Sequence, residues 1–300
     1  MVVNRAPWMT GSFLAYTGAL TALIASLAWL GVISDDHGQG AFAGWSVLFW
    51  ALAEVLAFAL LGRGHRVAAG LFGFVGLGLF ALMIGAFFSW FGWLPDDGPL
   101  GGFHLGILAL QLLVLIAASI DLGIFKFPLF ALVLAGLGWY FLTDLVSSGG
   151  NWSAWVTLFV GLFLFVMGLA NDGGDTRPYG FWVHVVAGLT IGSALLYWWH
   201  TSDFQWALII VVGIAFMAVG AGIRRSSYAV LGTIGLFLAS WHYALGGNPG
   251  TASNDLLFGD EPPNGPASWT GPVAFLCLGL FLALLGMVFW RRGADTGETA

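Results

Sequence analysis

Charge is the property this chain has least of. Asp, Glu, Lys and Arg make up only 8% of its 300 residues, against about 25% in a soluble domain, which excludes water as the principal solvent. Cysteine is scarcer still: Cys277 stands alone, so no internal disulfide can form and no redox compartment can be inferred. Catalytic signatures are missing too, with no P-loop, GxSxG, CxxC or HExxH pattern anywhere. The nine basic residues are dispersed, which excludes a nucleic-acid surface. The strict alternation over roughly ten residues that a transmembrane β-barrel needs is also absent. The chain is therefore expected to be no enzyme and to need no cofactor and no metal.

What remains is apolar. Hydrophobic residues make up 59% of the chain, in long runs separated by short polar breaks, the pattern of an all-α, polytopic integral membrane protein in a lipid bilayer. About ten segments are long enough to cross about 30 Å of hydrocarbon at about 1.5 Å per residue. They fall near 11–33, 41–62, 67–94, 102–121, 125–147, 151–170, 179–199, 204–223, 228–245 and 271–290. The breaks SDDHGQG, LPDDGPLGG, SSGGN, NDGGD and TSD carry turn chemistry. The opening MVVNR leads into a first helix expected to stay in the protein, not a cleaved signal.

Basic residues set the expected orientation. With the N-terminus inside, Arg5, Arg63, Arg66, Lys126, Arg177, Arg224, Arg225, Arg291 and Arg292 all fall on the cytoplasmic side, as the positive-inside rule requires. Both termini are then cytoplasmic, and the chain is expected in the plasma membrane as a multi-pass protein. Trp29, Trp90, Trp93, Trp152, Trp155, Trp198, Trp199, Trp206, Trp241 and Trp269 gather near the outer interface, where an aromatic belt would anchor the helices.

Two stretches recur. GSFLAYTGALTALIASLAWL (11–30) resembles GFWVHVVAGLTIGSALLYWW (180–199), and GLFLFVMGL (161–169) resembles GLFLALLGM (279–287). Both pairs run in the same direction, which points to a parallel internal repeat, although Leu/Gly-rich helices also match through composition alone. The expected organisation is a six-helix core over 1–172 and a four-helix extension over 173–300. The latter carries an extracytoplasmic loop near 246–270, rich in Pro, Gly, Asn and Asp.

Within this apolar chain, polar residues stand out. Glu54 interrupts LFWALAEVLAFALLG, eight residues before Gly62. Intramembrane carboxylates are costly and usually face a cavity or a partner, so Glu54 reads either as an acid bonded to a neighbouring helix or as part of a solute or proton path. Asp121 and Lys126 flank the turn SIDLGIFKF and are expected to pair there. Asp144, in YFLTDLV, is expected near the outer surface, either as a wet carboxylate or as the entrance to a solute path. His104, His200 and His242 sit towards outer helix ends, without the spacing of a metal or haem site. The glycines of GLFGFVGLG (70–78) predict close helix packing.

Residues 4–172 resemble the acetate uptake transporter family, six-helix carriers or channels for acetate and related acids. That family opens with an Asn-Pro-Ala-Pro-type motif and a Gly-Phe pair; NRAPWMTGSF keeps Asn4, Ala6, Pro7 and Phe13 but has Arg5 in place of the first Pro. Its second helix carries an Ala-Gln pair before a basic inner turn; here ALAEVLAFALLGRGHR has Glu54 where the Gln stands. Its third helix has Ser-Tyr-Gly, where this chain has Val75 before Gly76. The resemblance implies that Phe13 narrows a pore and that the second constricting residue, a Tyr, is missing.

The functional expectation is a transporter or channel for a small monocarboxylate or similar solute, proton-coupled through its wall, with Glu54, Phe13 and Asp144 on the path. The rival expectation is a non-catalytic membrane scaffold or accessory subunit, for which homo-oligomers or other membrane proteins would be the partners.

Overall fold

A computed structural model describes residues 10–94, 104–146, 150–223, 225–245 and 279–281; over 10–39 it describes the backbone and a few side chains. Among these residues every regular element is helical. In chain order they are α1 (Thr10–Gly62), α2 (Arg66–Trp90), α3 (Leu105–Phe125), α4 (Leu129–Val146), α5 (Gly150–Ala170), a 3-10 turn (Gly174–Thr176), α6 (Arg177–Trp198), α7 (Asp203–Gly222) and α8 (Ser226–Leu245). α1 is interrupted at Gly38, whose φ of 75° and ψ of 173° are not helical. Glycine reaches that region at little steric cost, and the interruption falls within SDDHGQG, where a turn was expected.

Seven helical segments are long and apolar enough to cross a membrane: Gly40–Gly62, α2, α3, α4, α5, α6 and α7. The chain thus reads as a multi-pass membrane protein, and these seven correspond to the second to eighth of the expected segments. The part of α1 before Gly38 and α8 occupy the first and ninth. Of the tenth, only 279–281 are described, and they are helical. The loop at 246–270 and both termini lie outside the described residues.

Boundaries differ from expectation at the ends of α2 and α3 and at the start of α4, expected at 125 and found at Leu129. The third run was expected to reach 94, but α2 stops at Trp90. Gly92 there takes a φ of 70°, and the Phe91 and Gly92 amides donate to the carbonyls of Phe87 and Ser89. The fourth was expected to end at 121, but α3 continues to Phe125 and stops at Lys126 in the left-handed region, φ 50°. Within IDLGIF only Gly123 weakens the helix, by about 1 kcal/mol, whereas Pro128 forbids its continuation.

The contacts divide the chain into two units, Met1–Val156 with Asn171–Val183, and Thr157–Ala170 with His184–Ala300. In the first, Ala57, Ala69, Leu77, Val114, Ala118, Phe125 and Phe130 form a buried cluster drawn from α1 to α4. The rings of Phe125 and Phe130 stack with centroids 6.2 Å apart. A Cβ added to Gly73 would come within 2.7 Å of the Phe125 ring, so the α2 glycines make room for aromatic rings, as their spacing predicted. Tyr179, at the start of α6, donates its hydroxyl proton to the Lys126 carbonyl at 2.8 Å, capping the end of α3.

In the second unit, α7 and α8 approach at Gly213 and Gly232. A Cβ on Gly213 would lie 2.9 Å from the Gly232 carbonyl oxygen, and a Cβ on Gly232 would meet the Gly213 carbonyl oxygen. Lipid tails give apolar helices no driving force to separate from them, so such close van der Waals approach holds the pair together. Trp206 is fully buried and stacks on His242 at 4.7 Å, which makes it a core residue and not part of an interfacial belt. Trp29, Trp90, Trp93, Trp152 and Trp155 are exposed, as belt residues should be. Across the unit, His184 Nδ1 lies 3.0 Å from the Tyr228 hydroxyl, joining α6 to α8 in a buried hydrogen bond.

Candidate functional site

The polar side chains of the first unit fall in two places, both within apolar helices. The first is built around Glu54. It is half-buried on α1, about 12 Å along the helix from Gly62 at 1.5 Å per residue. Its carboxylate oxygen Oε1 rests against Gly76 of α2, where even a Cβ would collide with it. A glycine thus supplies the space that the acid occupies. Asp121 of α3 lies within electrostatic reach of Glu54, so two carboxylates from two helices face one region of the unit.

Asp121 is therefore not a turn residue. Because α3 runs on to Phe125, Asp121 lies a full helical turn inside it, half-buried, with Glu54 as its charged neighbour. Lys126 is exposed at the end of α3, where its carbonyl accepts from Tyr179. The expected Asp121–Lys126 turn pair gives way to a helical Asp121 and an exposed Lys126, because the helix extends past the point where the turn was placed.

The second place is at the other end of α3. Asp144, two residues before the end of α4, accepts a hydrogen bond from Gln111 Nε2 at 2.6 Å. Gln111 is 1% exposed, and its other amide atom, Oε1, has no hydrogen-bond partner. Asp144 is consequently anchored on α3 and half-buried, not simply wetted at a surface. Gln111 was missed from the sequence, although the signal was available: LGILALQLLVLIAAS carries one amide in an apolar run, as LFWALAEVLAFALLG carries one acid.

The Phe13 side chain lies outside the described residues. The histidines go elsewhere. His200 Nδ1 sits 2.8 Å from the Tyr197 carbonyl at the end of its own helix, and His242 Nε2 lies 3.0 Å from Asp203 Oδ1.

Chemically, the Glu54–Asp121 region favours protons and cations. Two carboxylates in a weakly polar surrounding repel when both are charged, and a proton or a cation between them relieves that repulsion. A bare anion gains nothing there. No protein-family model matches this chain, nor does any curated protein or solved structure, so its chemistry is read from these side chains.

Proposed function

We propose that the chain is a membrane transporter or channel for a small solute, with protons taking part in passage through the first unit. The observation that carries this reading is Glu54, seated against Gly76 and within electrostatic reach of Asp121 inside apolar helices. A structural salt bridge would bring a cation to Glu54, whereas the charge that bears on it here is that of a second acid, Asp121. The resemblance of residues 4–172 to acetate uptake transporters supports a small monocarboxylate as solute, and the acid pair supports its passage together with a proton. By the positive-inside distribution, Glu54 belongs to a helix descending towards the cytoplasm.

Uptake of labelled acetate into proteoliposomes under an imposed pH gradient tests the proposal. Wild-type vesicles should accumulate label with inward proton flow. Glu54→Gln should retain the fold but flatten the pH dependence, and Glu54→Ala should reduce uptake by about tenfold or more, equivalent to about 1.4 kcal/mol. Absence of uptake for every small acid tried would remove the transport reading, and an unchanged pH profile in Glu54→Gln would remove the proton.

The scaffold reading is favoured by one feature, the outward face of α5, where Phe159, Phe163 and Val166 are all exposed. Such a face suits lipid or another membrane helix equally. Stoichiometric copurification of a partner in mild detergent, without uptake activity, would select it.

A further inference from the structure

We propose that a recess between α6, α7 and α8, within the second unit, takes up the terminal half of one acyl chain of a membrane lipid. The site is independent of Glu54 and of whether the protein transports anything.

The case begins with the walls. The recess encloses about 210 Å³, and Leu189 and Gly192 of α6, Ile209 and Phe216 of α7, and Ile234 and Gly235 of α8 are among its lining. The one polar side chain in that lining is Ser193, and its hydroxyl already donates to the Thr190 carbonyl at 3.0 Å. A polar ligand would therefore bury groups with nothing to bond. Water fares no better, since a buried water needs about two to four polar partners. Hydrocarbon gives up no hydrogen bond there and gains dispersion contact with the walls. For scale, an apolar cavity of about 150 Å³ stays dry and accepts a benzene ring.

Four glycines line the recess, and they divide into two kinds. A Cβ on Gly188 would strike Leu231, and one on Gly213 would lie 2.9 Å from the Gly232 carbonyl oxygen. These two set how closely the helices approach. Gly192 and Gly235 do not. A Cβ on Gly192 would find the Phe216 ring at 4.0 Å, and one on Gly235 would find Gly213 Cα at 3.9 Å and Ile209 Cγ2 at 4.0 Å. Both are ordinary separations between carbon atoms. At these two glycines the protein leaves room that its own side chains do not use.

Depth and opening name the occupant. On α7 and α8 the lining residues stand at least five positions from either helix end, about 8 Å at 1.5 Å per residue. Each of these helices has 20 residues and so spans about 30 Å, the thickness of the hydrocarbon core. The recess thus lies where acyl chains end and headgroups do not reach. Of its lining, Leu189 and Ile234 are 51% and 48% exposed, so it opens between α6 and α8. That opening continues the apolar face that α6, a membrane-spanning helix, presents to lipid. A helix, about 10 Å across with its side chains, could cover the mouth but not enter it. A single acyl chain can.

The test photolabels full-length protein in detergent with an equimolar phosphatidylcholine whose acyl chain carries a diazirine near its methyl end. A second phosphatidylcholine carries the diazirine beside the ester. Label is located by mass spectrometry. The methyl-end probe should mark lining residues such as Phe216 and Leu238 about tenfold more than the ester-end probe does, and unlabelled phospholipid should compete it away. Gly235→Leu, whose side chain projects among Gly213 and Ile209, should lower that label by about tenfold. Label at Val211, on an exposed face of α7, should stay unchanged. The comparison of the two probes in wild type decides the matter even if Gly235→Leu fails to fold. Equal marking of the lining by both probes, or undiminished label in folded Gly235→Leu, would overturn the proposal. So would an unmarked lining beside a marked Val211, which would assign the mouth to a covering helix of this protein or a partner.

Discussion

The α1–α2 and α7–α8 hairpins invite comparison, because each joins two apolar helices through three residues and each depends on glycine. Residues 63–65 make the first turn, and of the three that separate α7 from α8 Ile223 and Arg225 are described. In α1–α2, Gly76 gives its space to a side chain, the Glu54 carboxylate. In α7–α8, Gly213 and Gly232 give theirs to each other's backbone, while polar side chains meet between these helices elsewhere, at Thr233 with Met217 and His242 with Asp203. The turns differ in the same sense. Arg63 and Arg66 are exposed, whereas Arg225 is 7% exposed and its amide donates to the Gly220 carbonyl at 2.8 Å. One hairpin gives a glycine's space to a carboxylate, while the other gives it to backbone.

The contrast can be broken by substitution. Gly232→Leu should have the largest effect, because its side chain meets backbone and a helix must move. Destabilisation of about 3 kcal/mol is expected, the upper end for overpacking, measured by thermal unfolding in detergent. Arg225→Gln comes next at about 2 kcal/mol, since it shortens and replaces a buried charged side chain. Gly76→Ala should cost less than about 1 kcal/mol, because what it strikes is the end of a flexible side chain. It should nevertheless displace Glu54 and shift the pH profile of acetate uptake. Arg63→Gln, on the exposed turn, should stay within about 0.5 kcal/mol of wild type. Equal losses for Gly76→Ala and Gly232→Ala would end the distinction between the hairpins.

The helices were largely legible because membrane spans announce themselves by length. The run read as 41–62 is the span Gly40–Gly62, and 204–223 is Asp203–Gly222. The errors were local: α2 ended early at a left-handed Gly92, and α3 ran on to the residue before a left-handed Lys126. The latter error hid the role of Asp121, since four extra residues convert a turn acid into a helix acid. The site was legible as residue types and not as partners. Glu54 and Asp144 stood out, but these helices are apolar nearly all round, so no polar stripe gives their rotation. Without rotation, neither the meeting of Glu54 with Gly76 nor that of Gln111 with Asp144, 33 residues apart, could be read. Gln111 carries no charge and so escaped a search directed at charge.

The bond from Tyr179 to the Lys126 carbonyl has a consequence for how the protein is made. The two residues lie 53 positions apart, and chains emerge at about 5–20 residues per second. The end of α3 therefore waits about 3–10 s after its synthesis for the hydroxyl that caps it. During that interval the α3–α4 hairpin exists with an open carbonyl. Tyr179 is thus a late fastener in biogenesis, and Tyr179→Phe should lengthen the period in which the nascent hairpin is open to proteolysis or chaperones, leaving the Lys126 carbonyl without that donor in the finished unit.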